Sequence, residues 1–527
     1  MINYKRIFNL KQFNLNSDFS VWLLVFVYSS ILIFSFQKIL LPFFFPSIQL
    51  DDIGIIKGTD SAGFYQVAIE CANLIKQGAL SKEIIIYNIN RGFGISLIYG
   101  LMFAVVKQSP IYALPLSASL HASGCLFLYK MLNMVLNDRR KSFYGIIPFA
   151  IYPTAAFWYT QFLKDTVIVP AIILYIYSLI FFTNYKKLNK KNFFLAVLLL
   201  LTSTTLILVV RVYLIDVLKI FLLITLIFSI KVCIFLYRRR DINFYGVLSS
   251  VVFLALFLFL ILPWEKNLLT QNSVPTQLPD SNSVQLPEKD SVQLPEKDSV
   301  QLPEKDSVQL ADSNSVQLSK KYLAQLDAQI ILNKANHQNN NLISYLQISY
   351  LMTKRFVAKV GEVIKVVDEK IKNLFVDRII EEIAFRRNGF INTPGATSID
   401  ADVRFKTIGD IINYIPRASL LAFTAPFPSI LLEQGSSKLM NLSRRMVFFE
   451  MIFIYVFLLM VPYVLWKHKA NAQMWLIICF CFTIMLSYTL IVTNIGTLHR
   501  FRYPFIMIIS GLGVGGWFSV FNNFKKR

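Results

Sequence analysis

The chain has 527 residues, of which 55% are hydrophobic and 16% are charged, and its formal net charge is +22. An average soluble domain carries about 25% charged residues, so this composition excludes an ordinary soluble globular protein. Nucleic-acid binding is not indicated either, because the basic residues stand in short clusters between apolar runs, as they do in cytoplasmic loops of membrane proteins. The five cysteines and four histidines form no disulfide or zinc pattern.

The first apolar run, 21–45, predicts a signal anchor and not a cleaved signal peptide. It is too long for the core of a signal peptide, and no small-residue cleavage site follows it. Lys5, Arg6 and Lys11 precede the run, so we expect the N terminus to stay in the cytoplasm.

Apolar runs of transmembrane length recur to the C terminus and predict an all-α, polytopic transmembrane helix bundle. The predicted spans are 21–45, 111–136, 143–161, 166–184, 193–215, 217–237, 243–263, 446–466, 473–493 and 504–521. A shorter run, 93–106, either dips into the membrane and returns or adds a span. The predicted total is therefore about ten to twelve.

Basic clusters follow alternate spans, and we expect all of them in the cytoplasm: 138–141, 186–191, 238–240, 467–469 and 525–527. This topology puts both termini in the cytoplasm and the loops 46–91 and 263–445 on the outer face. It divides the chain into an N-terminal membrane domain (1–262), a large outer loop (263–445) and C-terminal membrane helices (446–527). A signal anchor with basic loops favours the inner membrane of a bacterium.

The first outer loop contains a predicted amphipathic helix that would lie along the membrane surface and end near Gly78. Its apolar positions recur at 4-3-4 spacing: Phe64, Ala68, Cys71 and Ile75. Asp60 directly precedes them, and two interpretations stay open for it. It is either the N-cap of the helix or a general base toward an acceptor hydroxyl, and the two roles are compatible. The neighbouring Asp51 and Asp52 are expected to be solvated.

The second outer loop begins with a tandem octad, SVQLPEKD, which repeats with degenerate copies over 283–318. One proline in each of the three identical units and few apolar residues predict an extended or disordered linker. Apolar residues then recur between Phe356 and Arg387, which indicates an amphipathic helix or helix pair. The apolar segment 418–432, broken by two prolines, is expected at the membrane interface.

Two further places could carry chemistry. Lys164 and Asp165 stand together between two apolar runs, where the alternatives are interfacial anchoring and a functional charge pair. Arg500 and Arg502 stand in a segment predicted to be an outer loop, where basic residues violate the positive-inside rule. Arginine suits a phosphate or diphosphate, and the alternative is interfacial snorkelling. Arg211 and Arg417 are weaker candidates of the same kind.

The order of these features resembles the N-terminal half of the glycosyltransferase C superfamily over about residues 20–240. The features are one span, an outer loop with an acidic residue before a surface helix, the segment Asn90–Gly94, and the boundary from Pro153 to Asp165. Members of that superfamily are polytopic enzymes that transfer a sugar from a polyprenyl-phosphate donor on the outer face. Family members often carry paired acids in the first loop, whereas here Asp60 is followed by Ser61.

The resemblance implies that Asp60 orients or deprotonates the acceptor, while Arg500 and Arg502 bind the lipid phosphate with help from Lys164 and Asp165. The implied partners are membrane lipid and a polyprenyl-phosphate-linked sugar, and no nucleic acid. No cofactor is predicted, and a divalent metal ion stays open. The alternatives are a polysaccharide polymerase or ligase, a transporter or flippase, and a membrane protein without catalysis.

Overall fold

A computed structural model describes residues 17–51, 53–57, 59–183, 190–238, 244–261, 377–392, 397–434 and 438–524. These residues form helices and one short hairpin. The octad repeat at 283–318 and most of the helical segment predicted between Phe356 and Arg387 lie outside the described residues. The described ranges belong to one compact unit.

The helices of the first half are α1 (Asp18–Ser35), α2 (Leu41–Phe44), α3 (Asp60–Lys76), α4 (Lys82–Asn90), α5 (Gly94–Val105), α6 (Leu114–Leu136), α7 (Arg139–Ile151), α8 (Pro153–Thr160), α9 (Asp165–Thr183), α10 (Lys190–Val210), α11 (Ile215–Arg238) and α12 (Phe244–Ile261). Those of the second half are α13 (377–392), α14 (Ile408–Thr424), α15 (Pro428–Leu432), α16 (Lys438–Leu458), α17 (Val461–Lys467), α18 (Ala472–Ile491) and α19 (Ile495–Phe524). Strands β1 (Gln49–Leu50) and β2 (Ile55–Ile56) pair antiparallel, with Gln49 opposite Ile56. Asp51, in the hairpin turn, is exposed and adopts a left-handed φ of 42°.

Eight helical segments of the described chain are long and apolar enough to cross a membrane. They are Asp18–Phe44, Pro110–Leu136, Asp165–Thr183, Lys190–Val210, Leu218–Tyr237, Asn441–Lys467, Ala472–Ile491 and Ile495–Asn522. The prediction of a multi-pass, all-α helix bundle is confirmed at this level. A shorter apolar helix, Val247–Leu258, lies within the predicted span 243–263.

The structure differs from the predicted span 143–161 and decides the open question about the run 93–106. The predicted single span 143–161 is wrong, because the chain leaves the helical conformation at Tyr152 (ψ 135°) and continues as α8 from Pro153. Proline disfavours a helical conformation in the residue before it, which accounts for the break. The run 93–106 forms α5, whose 12 residues span only about 18 Å and so cannot cross a hydrocarbon core of about 30 Å. Instead, α5 packs against α3.

Helices α9 and α19 form the centre of the bundle. In α9, 94% of the apolar stretch is buried, and in α19 the fraction is 78%. The surrounding helices instead turn large apolar side chains outward, among them Val27 and Ile31 on α1, Leu198 on α10, and Phe449 on α16. Such a shell would be unfavourable in water, and it is the surface that a bilayer requires.

Glycines allow α7 and α19 to approach closely. A Cβ atom built on Gly145 would lie 2.9 Å from the carbonyl oxygen of Gly511 and 2.6 Å from Leu132 Cδ1. Close backbone approach through small residues is the usual way in which membrane helices pack, since lipid supplies no hydrophobic driving force between them. The α7–α19 contact therefore depends on Gly145 lacking a side chain.

Replacing Gly145 by alanine is expected to lower the free energy of unfolding by about 1–3 kcal/mol, because the added methyl group overpacks the α7–α19 contact. Gly63 of α3 provides the control, since no atom lies within 4 Å of a Cβ built there. The same substitution at Gly63 should stabilise α3 by up to about 1 kcal/mol. Denaturant unfolding of both variants in detergent, followed by circular dichroism, measures the difference. Equal stability of the two variants would contradict the packing argument.

Candidate functional site

Asp165 is the first residue of α9. The four residues before it connect α8 to α9, and the first turn of α9 forms through hydrogen bonds from Thr166 N to Leu163 O and from Ile168 N to Lys164 O. The side chain of Asp165 is 1% exposed. A helix N terminus favours a carboxylate, because the peptide dipoles place partial positive charge there.

Two arginines enclose the carboxylate of Asp165. Arg211, directly after α10, places Nη2 at 2.8 Å from Oδ1, and its side chain is 4% exposed. Arg500, in the second turn of α19, places Nη2 at 2.6 Å and Nε at 3.1 Å from Oδ2. Its side chain is 33% exposed. The buried carboxylate therefore ties together the ends of α9, α10 and α19 and leaves one edge of Arg500 accessible.

Asp60 faces the accessible edge of Arg500. The distance from Arg500 Nη1 to Asp60 Oδ2 is 3.9 Å, and the Asp60 side chain is 66% exposed. The N-cap interpretation of Asp60 is wrong, because the extended residue at the N-cap position is Thr59 (ψ 163°) and Asp60 is already helical. The hydroxyl of Thr59 donates to Ile56 O, so it does not cap the helix either. Asp60 thus keeps its carboxylate free of helix capping.

Two buried glutamines form hydrogen bonds at the end of α8, close to Asp165. Gln161, just after α8, accepts a hydrogen bond from Ile56 N at 3.0 Å and donates to Gly54 O at 3.3 Å. Gln37 donates to Thr160 O at 2.8 Å. The two bonds of Gln161 fasten the hairpin before α3 to the end of α8, four residues from Asp165, and the bond of Gln37 fastens the segment between α1 and α2 to the same end of α8. Neither amide is predicted from the sequence, where the only signal is a polar residue in or next to an apolar run.

Lys164 lies between α3 and the turn that joins α4 to α5. Its Nζ is 5.0 Å from the centroid of the Phe64 ring. A Cβ atom built on Gly92, where φ is +78°, would lie 2.7 Å from the same Nζ. The left-handed backbone requires glycine at position 92, and the amine of Lys164 lies in the space beside it. Burial, and next the charge of Arg211, lower the pKa of Lys164, while Asp60 and Asp165 raise it.

Replacing Asp60 by asparagine is expected to lower the pKa of Lys164 further, because it removes one of the two carboxylates that favour the charged amine. The pH profile of Lys164 acylation, measured by mass spectrometry on the folded protein, should move toward lower pH. The matched control is Glu70→Gln, since Glu70 is an exposed carboxylate on the same helix. A profile that stays fixed in Asp60→Asn, or that moves equally in Glu70→Gln, would contradict the proximity of Asp60 and Lys164.

The other predicted arginines lie elsewhere. The segment around residues 494–504, expected to be a loop, is mostly helical, because α19 begins at Ile495 and continues through Pro504. Arg502 is 0% exposed and donates to Ala422 O at 2.7 Å, in the last turn of α14. Helix-terminal carbonyls lack an intrahelical partner, so this bond completes α14. Arg417 pairs with Asp400, 3.1 Å from Nε to Oδ2.

The structure thus brings together five of the predicted residues: Asp60, Lys164, Asp165, Arg500 and the weaker candidate Arg211. This charge cluster contains three cations and two carboxylates, a net charge of one positive unit. Among the described residues, no group of three or more His, Cys, Asp or Glu side chains is placed to hold a metal ion. The chain matches no protein-family model, and no curated protein or solved structure is significantly similar to it.

Proposed function

We propose that this protein is a membrane glycosyltransferase that moves a sugar from a polyprenyl-phosphate donor to a glycan, lipid or protein acceptor of the cell envelope. The observation that supports the proposal is the charge cluster at one end of the bundle. In a membrane protein, ionisable side chains at the ends of buried helices are expensive and are typical of functional sites. The ion pair between Asp18 and Lys130 (3.0 Å) is separate from the charge cluster, because it joins the start of α1 to the last part of α6.

The two accessible cations of the charge cluster suit a lipid phosphate. Asp165 engages Arg211 and one edge of Arg500, which leaves the outer edge of Arg500 and the ammonium group of Lys164 for a ligand. Arginine binds phosphate oxygens through its planar fork, and lysine does so as a point charge. We leave Arg502 out of this ligand shell because its guanidinium is fully buried against α14.

The reaction would form a bond between an acceptor oxygen and C1 of the sugar while the bond from C1 to the phosphate oxygen breaks. The electron pair leaves with the polyprenyl phosphate, and Asp60 accepts the proton of the acceptor hydroxyl. General base catalysis of this kind contributes roughly 10²–10⁴-fold. The exposure of Asp60 at the rim of the charge cluster supports this role, since the acceptor must arrive from outside the bundle.

The charges of the proposed step balance. A sugar phosphodiester carries about one negative charge, and the departing phosphate monoester carries about two near neutral pH. When Asp60 takes the proton, the charge cluster changes from a net charge of one positive unit to two, because one carboxylate is neutralised. The site would therefore become more positive while its ligand becomes more negative, which favours the transition state over the bound donor.

Helices α3 and α5 are the surface on which we place the polyprenyl chain. Gly92 lies beside Lys164 and just before α5, whose outward residues Leu101 and Val105 are 59% and 87% exposed. A prenyl chain that starts at Lys164 could follow this apolar face for about 16 Å. The expected position of α3 and α5 at the outer membrane surface forms part of the proposal.

To test the proposal, the gene in the host is replaced by one that encodes the Arg500→Ala variant. Polyprenyl-linked sugars are then measured in extracted lipids by mass spectrometry. We expect one lipid-linked sugar to accumulate at normal protein level, because its phosphate is no longer held. The matched control is Arg386→Ala, since Arg386 on α13 is equally exposed (32%) and also ion-paired, to Glu382. Unchanged lipid-linked sugars in Arg500→Ala would rule out the transferase.

A transporter or flippase is the second candidate, and the break between α7 and α8 favours it. Glu450 of α16 is 2% exposed and accepts a hydrogen bond from Thr154 N at 2.6 Å, in the first turn of α8. Broken helices with buried charge are typical of transporters. Labelling with a membrane-impermeant reagent before the lipids are extracted discriminates the two functions, because it reports the side of the membrane on which the lipid-linked sugar accumulates. A blocked transferase leaves lipid-linked sugar accessible to a membrane-impermeant reagent from outside, whereas a blocked flippase leaves it protected.

A further inference from the structure

Residues 397–407, which we call the strap, lie against the linker between α18 and α19. Ile399 N donates to Thr493 O at 2.8 Å, and Ile495 N donates to Thr397 O at 3.0 Å. Ser398 and Asn494 form an antiparallel bridge between these two bonds. The linker that starts α19 is therefore paired along its backbone with a segment far away in sequence.

Arg387 of α13 fixes the strap to the end of α18. Its guanidinium donates to the carbonyl oxygens of Asp400 at 2.6 Å, Val403 at 3.1 Å and Leu490 at 2.9 Å. The side chain is 1% exposed. Two rings enclose it, with centroids 5.0 and 5.2 Å from Cζ: Phe405 and Tyr414. The buried side chain of Arg387 thus forms hydrogen bonds both with the strap and with the end of α18, which leads into the linker.

The linker in turn determines the position of the first turns of α19, which carry Arg500. Asn494 accepts a hydrogen bond from Thr497 N at 3.2 Å through Oδ1, which caps α19. Arg500 follows one turn later and must place two nitrogens on Asp165 Oδ2. A shift of Asn494 would move the start of α19 and with it the guanidinium, and the two hydrogen bonds to Oδ2 weaken steeply when their geometry is displaced.

We propose that Arg387 is a positioning residue for Arg500. Through the strap it holds the first turns of α19, and so it keeps Arg500 against Asp165 with one edge open to a phosphate. Arg387 does not join the charge cluster and acts through Arg500. The inference rests on the proposed function for the ligand of Arg500, while the positioning itself can be measured without a ligand.

The first measurement is the mobility of a nitroxide spin label at position 496, introduced as Gly496→Cys in full-length protein whose exposed Cys479 is replaced by serine. Arg387→Ala should raise the label's mobility at 496 and not at a control position, Ala472→Cys, which is exposed in the first turn of α18. Arg386→Ala should change neither. If Arg387→Ala does not fold, Ile399→Pro removes the backbone N–H that donates to Thr493 O and serves in its place. Unchanged mobility at 496 in a folded variant overturns the positioning role.

The second measurement is the affinity of the protein in lipid nanodiscs for a short prenyl phosphate, at fixed salt. Arg387→Ala should weaken binding by about tenfold or more, and the double variant with Arg500→Ala should bind no more weakly than Arg500→Ala alone. Additive losses would show that Arg387 does not act through Arg500. If wild-type protein binds no prenyl phosphate although Arg387→Ala mobilises position 496, the positioning role stands and the proposed function falls.

Discussion

Replacing Asp165 by alanine is expected to lower the free energy of unfolding by about 3–5 kcal/mol. The substitution removes the carboxylate shared by Arg211 and Arg500, whose side chains are 4% and 33% exposed. Arg211 would then keep its charge inside the bundle after losing the carboxylate that neutralises it, and removing one member of a buried ion pair is strongly destabilising. Asparagine at this position keeps the shape and removes the charge, so it should lose most of the same stability.

Asp18→Ala is the control for this measurement. Asp18 also pairs with a basic side chain at a helix end, 3.0 Å from Lys130, but it is 55% exposed. An exposed pair contributes about 0–1 kcal/mol, so its loss should be small. Denaturant unfolding in one detergent compares all variants. If Asp165→Ala were no less stable than Asp18→Ala, the buried ion-pair network would not stabilise the bundle.

The pairing of Asp165 also shows where sequence reasoning ends. Asp165 stands out in the sequence because it is a charged residue between two apolar runs, and Arg500 because it is a basic residue in a predicted outer loop. Their contact spans 335 positions of sequence, and that of Asp165 with Arg211 spans 46. Hydrophobic periodicity describes one helix at a time, so it could not show that Arg211 shares the carboxylate.

Arg500 and Arg502 illustrate a second limit. In an irregular loop two arginines separated by one residue could bind one phosphate together. In a helix each residue turns the side chain by about 100°, so positions i and i+2 point to nearly opposite sides. Arg500 accordingly reaches Asp165, whereas Arg502 is buried against the end of α14. The predicted span begins at residue 504, whereas the helix begins at Ile495 and so includes both arginines.

The bundle itself was largely predictable, since long apolar runs must be helical in lipid. Its exceptions have local causes. Pro153 ends the predicted span 143–161, and Glu450, 296 positions away, accepts the backbone hydrogen bond of Thr154 at that break. A break in a helix frees backbone groups, and inside the bundle these groups need hydrogen-bond partners. Glu450 supplies such a partner from another helix, and the sequence around the break does not show it.

Asp60→Asn is expected to lower the turnover of sugar transfer by about 10²–10⁴-fold while the Michaelis constant for the lipid donor stays within a few-fold. Asparagine keeps the size of the side chain but cannot accept the acceptor's proton. Because Asp60 is 66% exposed and does not cap α3, its replacement should leave the fold intact. The assay uses the lipid-linked sugar that accumulates in the Arg500→Ala host, with purified protein in nanodiscs.

Glu70→Gln on the same helix is the control and should keep full turnover. The comparison with Arg500→Ala separates the two roles, since loss of a phosphate ligand should raise the Michaelis constant as well as lower turnover. A general base also gives a turnover that rises with pH and then levels, and this pH limb should vanish in Asp60→Asn. If Asp60→Asn instead keeps its turnover and its pH limb, the proton goes to another group. Lys164 would then be the next residue to replace, because a lowered pKa brings its neutral amine closer to the working pH.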